Sequence, residues 1–90
     1  MAATIRLPTI LREHAAGATT VEVEGSTVRE VLLALDDAHP GVGRRVLDEQ
    51  GGIRRHVAVY VGDERVRSMD AATPAGTEVT ILAAVSGGQG

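Results

Sequence analysis

One stretch of this chain, Thr27 to Ala38, repeats its apolar residues at helical spacing, and the long regular stretches on either side of it alternate instead. Val28, Val31, Leu32 and Leu35 share one helical face, with Ala34 and Ala38 beside it. Thr27 and Glu30 have the spacing of a capping box. The Thr27 hydroxyl is placed to accept from the Glu30 N–H, and the Glu30 carboxylate to reach back to the Thr27 N–H. Pro40-Gly41 stops the helix. A single helix of this length covers one side of a sheet and no more, so the other side must face solvent.

The flanking stretches supply that sheet. Thr4-Ile5-Arg6-Leu7 alternates and ends at Pro8, and a short loop follows in which Ile10 and Leu11 are expected to tuck under the sheet. Thr20 to Glu24 alternates again, with Val21 and Val23 inward and Gly25 ending the strand. Beyond the helix, Val46 and Leu47 read as a short helical turn packed against it, and Gly51-Gly52 as a turn. Val57, Val59 and Val61 mark a third strand. Gly62-Asp63 turns the chain into a shorter strand around Arg65-Val66-Arg67. Met69 to Thr73 fits no pattern; Pro74 to Thr77 is a turn, and Val79 to Ala83 the last strand. The chain is therefore expected to be α+β, a sheet of four to five strands with one main helix packed on one face. With 90 residues it makes one small domain, and with Tyr60 as its only aromatic side chain the core must be aliphatic.

The residue inventory removes several kinds of chemistry. There is no cysteine, hence no thiolate nucleophile or zinc–thiolate site. There is no lysine either, so no Walker A loop and no isopeptide bond through this chain's own side chains. Gly41-Val42-Gly43-Arg44-Arg45-Val46 approaches a dinucleotide fingerprint, but Val46 stands where the third glycine belongs and the run follows a helix. His14, His39 and His56 show no ligand spacing, and no metal site is expected. Asp36-Asp37 and Glu22/Glu24 read as solvated faces, and Ser86 has no G-x-S-x-G context. No autonomous active site and no bound cofactor are expected.

Net charge is −3, unevenly spread. Residues 1–43 carry three Arg against six acids, residues 44–67 six Arg against four, and residues 68–90 two acids and no base. That contrast, with a single aromatic ring, does not predict nucleic-acid binding. Arg44, Arg45, Arg54, Arg55, Arg65 and Arg67 read either as a solubility balance or as a means of steering an acidic partner. No apolar run reaches membrane-spanning length and no signal-peptide pattern opens the chain, so no membrane association and a cytoplasmic location are expected.

Two features point to a partner-dependent role. Ala58, Tyr60 and Leu82 lie opposite the inward Val and Ile residues of their strands, so they share the open face and form a candidate docking patch. After Val85 the chain holds only Ser86-Gly87-Gly88-Gln89-Gly90, with nothing large or apolar to anchor it. Residues 1–85 are thus expected to form the domain and 86–90 a flexible C-terminal tail. Paired glycines lack Cβ atoms, so such a segment can thread a narrow slot and present a backbone carbonyl carbon to a reagent.

Taken together, the order of elements and the tail resemble the MoaD/ThiS family of ubiquitin-like sulfur carrier proteins over nearly the whole chain. The matching features are Pro8-Thr9-Ile10-Leu11-Arg12, the Thr27-Val28 helix start, Leu35 followed by Pro40, Val57 to Val61 with Gly62-Asp63, and Val79-Thr80-Ile81-Leu82 leading to Val85-x-Gly87-Gly88. The first and last of these look most like the branch that supplies sulfur for cysteine biosynthesis, whose relatives also serve secondary metabolism. The resemblance implies a β-grasp fold and a tail, Val85, Ser86 and Gly87, recognised by a ubiquitin-activating-like adenylyltransferase. That partner would use ATP to adenylate the Gly88 carboxylate, and sulfur would then replace AMP to leave a thiocarboxylate. In the cysteine branch a separate synthase, carrying pyridoxal phosphate, accepts the sulfur. Here Gln89-Gly90 follow Gly88, so the resemblance also implies cleavage of the Gly88–Gln89 bond by a zinc-dependent deubiquitinase-like peptidase. A ubiquitin-like modifier conjugated to target lysines shares the same tail and activation step. An interaction domain with an inert tail is a third possibility.

Overall fold

The computed structural model describes residues 2–83. The boundary expected at residue 85, and the tail beyond it, lie outside the described residues. In chain order the elements are β1 (Ala2–Arg6), α1 (Thr9–Arg12), a single 3₁₀ turn (Glu13–Ala15), β2 (Thr20–Glu24), α2 (Val28–Ala38), α3 (Gly43–Val46), β3 (Val57–Val61), β4 (Glu64–Val66) and β5 (Glu78–Ala83). The strands form one five-stranded sheet in the order β2-β1-β5-β3-β4. β1 runs parallel to β5 at its centre, and the other pairs are antiparallel. This mixed sheet, crossed on one face by α2, is the β-grasp architecture.

Strand register explains how one face becomes the core. Val21, Ile5, Val79 and Val61 are successive partners across four strands, and Ile81, Val59 and Val66 form a second row beside them. Against these rows α2 sets Val28, Val31, Leu32 and Leu35, all fully buried. Each such side chain is worth about 1.5–3 kcal/mol relative to exposure, so an aliphatic core suffices where aromatic rings are missing. Leu11 from α1 closes one end, but Ile10 is 57% exposed. The segment is helical, not an irregular loop, and adjacent residues on a helix point in different directions, so only one of the pair reaches the sheet. Of the two inward valines of the edge strand β2, Val23 is buried and Val21 only half-buried.

The segment with no sequence pattern, Met69 to Thr73, turns out to close the N-terminus of α2. Val28 N–H donates to the Ala71 carbonyl (2.9 Å) and Arg29 N–H to that of Met69 (2.8 Å). Glu30 N–H donates to Thr27 Oγ1 (3.2 Å) as the capping box requires. The reciprocal bond differs from the expectation. The Glu30 carboxylate chiefly accepts from Ser26, from its N–H at 2.8 Å and its hydroxyl at 2.9 Å. Ser26 and Thr27 also pair with the 72–73 segment, which turns the Ser26 N–H toward the helix. These donors hold the Glu30 carboxyl below its usual 4.5, the Ser26 backbone N–H contributing most.

Asp36 departs from the expected solvated face. Its Oδ1 accepts from Gly41 N–H (3.2 Å) and Gly43 N–H (3.0 Å), tying the start of α3 to the end of α2. A Cβ at Gly43 would lie 2.5 Å from the Asp36 Cβ, so only glycine permits this approach. The Gly-x-Gly of residues 41–43 is therefore a helix-to-helix junction. The following turn is organised by Asp48, whose Oδ1 accepts from Gln50 N–H and Gly52 N–H, both at 2.9 Å.

Two measurements test this framework. Gly43→Ala should destabilise by about 1–3 kcal/mol in chemical denaturation, despite the gain of up to about 1 kcal/mol that alanine brings to a helix. Gly52→Ala, where the added Cβ meets nothing closer than 3.5 Å, should stay within about 0.5 kcal/mol of the parent. For Glu30, a depressed folded-state value means its stabilisation is complete above about pH 4.5 and fades as pH falls through the folded value. Thermal melts of the parent and Glu30→Gln should therefore differ at neutral pH and converge on acidification; a constant gap would contradict the assignment.

Candidate functional site

The sheet face away from α2 is where the candidate docking residues meet. The same register that buries Val59 and Ile81 makes Ala58 and Leu82 direct cross-strand partners, and pairs Tyr60 with Thr80. Tyr60 is thereby diagonal to Leu82, within reach of an aromatic side chain on an antiparallel pair. Leu82 is 49% exposed, whereas Ala58 and Tyr60 are half-buried. An exposed leucine costs little alone, but beside Tyr60 it makes a continuous apolar surface of the kind that partners cover.

The flanks of this patch could not be placed by alternation within single strands. Thr20, Arg6, Thr80, Tyr60 and Arg65 are successive partners in one row across all five strands. Arg65 therefore stands next to Tyr60 on one side, and Arg6 next to Thr80 on the other. Arg6 Nε also lies 3.4 Å from Glu78 Oε2, a surface pair that fixes orientation more than it stabilises. An apolar centre with charged residues at its rim is the composition of a recognition surface.

The patch lies where the described chain ends. Leu82 precedes Ala83, whose partner across β5 and β3 is Val57, and the sequence continues from there to Gly87-Gly88. Val85, Ser86, Gly87, Gly88 and Gln89, the tail-recognition and processing residues expected from the sequence, lie outside the described residues. Among the described residues no group of three or more His, Asp or Glu side chains is placed to hold a metal ion. No described helix is long and apolar enough to cross a membrane.

The model of the ThiS family matches residues 5–88, a span that contains every strand from β2 to β5, α2 and the paired glycines. Over 93 aligned residues the chain is 39% identical to the sulfur carrier protein CysO of Mycobacterium tuberculosis, covering 98% of this chain and all of that one. The crystal structure of an Amycolatopsis orientalis BexX/CysO complex contains a chain that superposes with a TM-score of 0.89 at 39% identity, covering 96% of this chain and 99% of its counterpart. SAMP1 from Haloferax volcanii superposes with a TM-score of 0.85 at 34% identity, covering 98% of this chain and all of the other. With the fold, the strand register and the Gly-Gly segment all falling within these matches, the chain belongs to the ThiS family of ubiquitin-like sulfur carriers.

Proposed function

We propose that this protein carries sulfur as a thiocarboxylate on Gly88 and hands it to a biosynthetic enzyme. The observation that carries this reading is the full-length likeness to CysO sulfur carriers, with the family match ending on Gly88. Gly88 is followed by Gln89-Gly90, so its carbonyl is an amide and cannot be adenylated. Hydrolysis of the Gly88–Gln89 bond, by a zinc-dependent peptidase of deubiquitinase type, frees the carboxylate. That carboxylate attacks the α-phosphorus of ATP held by a ubiquitin-activating-like adenylyltransferase, releasing pyrophosphate. A sulfide equivalent then displaces AMP from the acyl adenylate. The product is anionic and nucleophilic, and it reaches only enzymes that recognise its protein carrier.

Within this cycle the body of the chain supplies recognition. Leu82, Tyr60 and Ala58 dock the activating enzyme, and Val85, Ser86 and Gly87 are read inside its channel. ATP belongs to that partner, and pyridoxal phosphate to the sulfur-accepting synthase when the product is cysteine; a secondary metabolite is the other destination. The likeness to SAMP1 favours a second reading, a modifier joined through Gly88 to lysines of other proteins. Gly87 and Gly88 serve both, since each begins with the same adenylate.

Intact mass spectrometry separates these outcomes. After incubation with the peptidase, activating enzyme, ATP and sulfide, the chain should lose the mass of Gln89-Gly90 and exchange one oxygen for sulfur. A sulfurated species that retains both residues would refute cleavage at Gly88, and Gly-Gly adducts on other proteins without sulfur exchange would favour the modifier. Leu82→Arg should leave the fold within about 0.5 kcal/mol of the parent, because the side chain is half exposed. It should slow adenylation roughly tenfold or more by placing a charge at the centre of the docking patch. Normal activation of a folded Leu82→Arg protein would remove this face from the interface.

A further inference from the structure

Four of the arginines that the sequence scatters over residues 54–67 converge on one concavity. Arg54, Arg55, Arg65 and Arg67 line it, over apolar residues that include Val57 and Val66, in a volume of about 150 Å³. The site lies at the open edge of the sheet, where β4 is bonded on one side only. Arg54 is held in place, its Nε donating to the Arg44 carbonyl (2.9 Å), and it also contributes to keeping the Asp48 carboxyl below its usual value, though the Gly52 and Gln50 N–H groups contribute more. Arg55, Arg65 and Arg67 make no ion pair with any described residue. Three guanidinium groups with no ion-pair partner among the described residues thus gather around a partly apolar hollow, on a protein whose net charge is −3.

We propose that this pocket receives an acidic segment of a partner protein, one that places carboxylates against Arg55, Arg65 and Arg67 and an aliphatic side chain over Val57 and Val66. The volume is below the roughly 300–1,000 Å³ of cofactor sites but admits single side chains. Guanidinium groups bind carboxylates in a two-pronged geometry, and an unpaired strand edge adds backbone hydrogen bonds for an extended segment. A polynucleotide fits poorly, because no aromatic ring lines the pocket for stacking and the chain as a whole is anionic. A free oxyanion would leave the apolar residues uncovered. Val57 is also the register partner of Ala83, so a segment seated here lies beside the last described residue of β5. The inference concerns the body of the chain and holds whether or not Gly88 carries sulfur.

The test is a ¹⁵N–¹H NMR titration of the full chain with a synthetic peptide of alternating glutamate and leucine. The expected result is saturable shifts confined to the amides of residues 53–57 and 64–67, weakened by added salt. Arg65→Glu/Arg67→Glu should raise Kd roughly tenfold or more while keeping the dispersed spectrum of a folded protein. The single variant Arg67→Glu, with a smaller loss, serves if the double variant does not fold. Leu82→Arg should bind the peptide as the parent does. Shifts centred on the open face, equal binding by the folded charge-reversal variant, or no saturable shift at all would overturn the proposal. So would equal or stronger shifts from inorganic phosphate or from oligouridylate of matched charge.

Discussion

The structure depends on the pairing of β1 with β5 at the middle of the sheet. Ile5 and Val79 are partners there and both are fully buried beneath α2. Because this pair is parallel, β1 and β5 must be joined by a long excursion that includes the main helix, three further strands and the connecting turns. The excursion gives the molecule one covered face and one open one. Without this central pair the core row Val21-Ile5-Val79-Val61 would be split between a two-stranded and a three-stranded piece, and α2 would have no continuous surface to cover.

That division assigns separate tasks to the two faces. The buried aliphatic core lies on the helix side. The open side is free to carry Ala58, Tyr60 and Leu82, whose burial is incomplete and whose surroundings are polar. Ion pairs contribute little to holding the fold together. Among the described residues, the Arg6–Glu78 and Arg29–Asp70 contacts lie at the surface, where screening and side-chain entropy leave them worth about 1 kcal/mol or less. Arginines not committed to such pairs remain available for recognition.

Much of this was legible in the sequence, for reasons that can be traced to particular residues. Alternation in Thr20–Glu24, Val57–Val61 and Glu78–Ala83 carries facing information directly, so the outward direction of Tyr60 and Leu82 follows without coordinates. The Thr27 cap is local and was equally readable. Register was not, because it depends on which strands become neighbours; hence the row from Thr20 to Arg65 and the gathering of four arginines at one edge appeared only in the fold. The same limit explains Met69–Thr73, whose carbonyls serve a helix some forty positions earlier, and Asp36, whose partners across the Pro40-Gly41 break are set by a reversal that no periodicity encodes.

The position of β5 has a mechanical corollary. This strand is hydrogen-bonded along both sides, to β1 and to β3, so a pull directed outward from Ala83 runs along the strand axis and across its inter-strand hydrogen bonds. Bonds on both flanks then resist together, in shear, instead of opening one after another as they would in a peeled edge hairpin. A domain built this way is suited to bear a load applied beyond Ala83 while its interior keeps its shape.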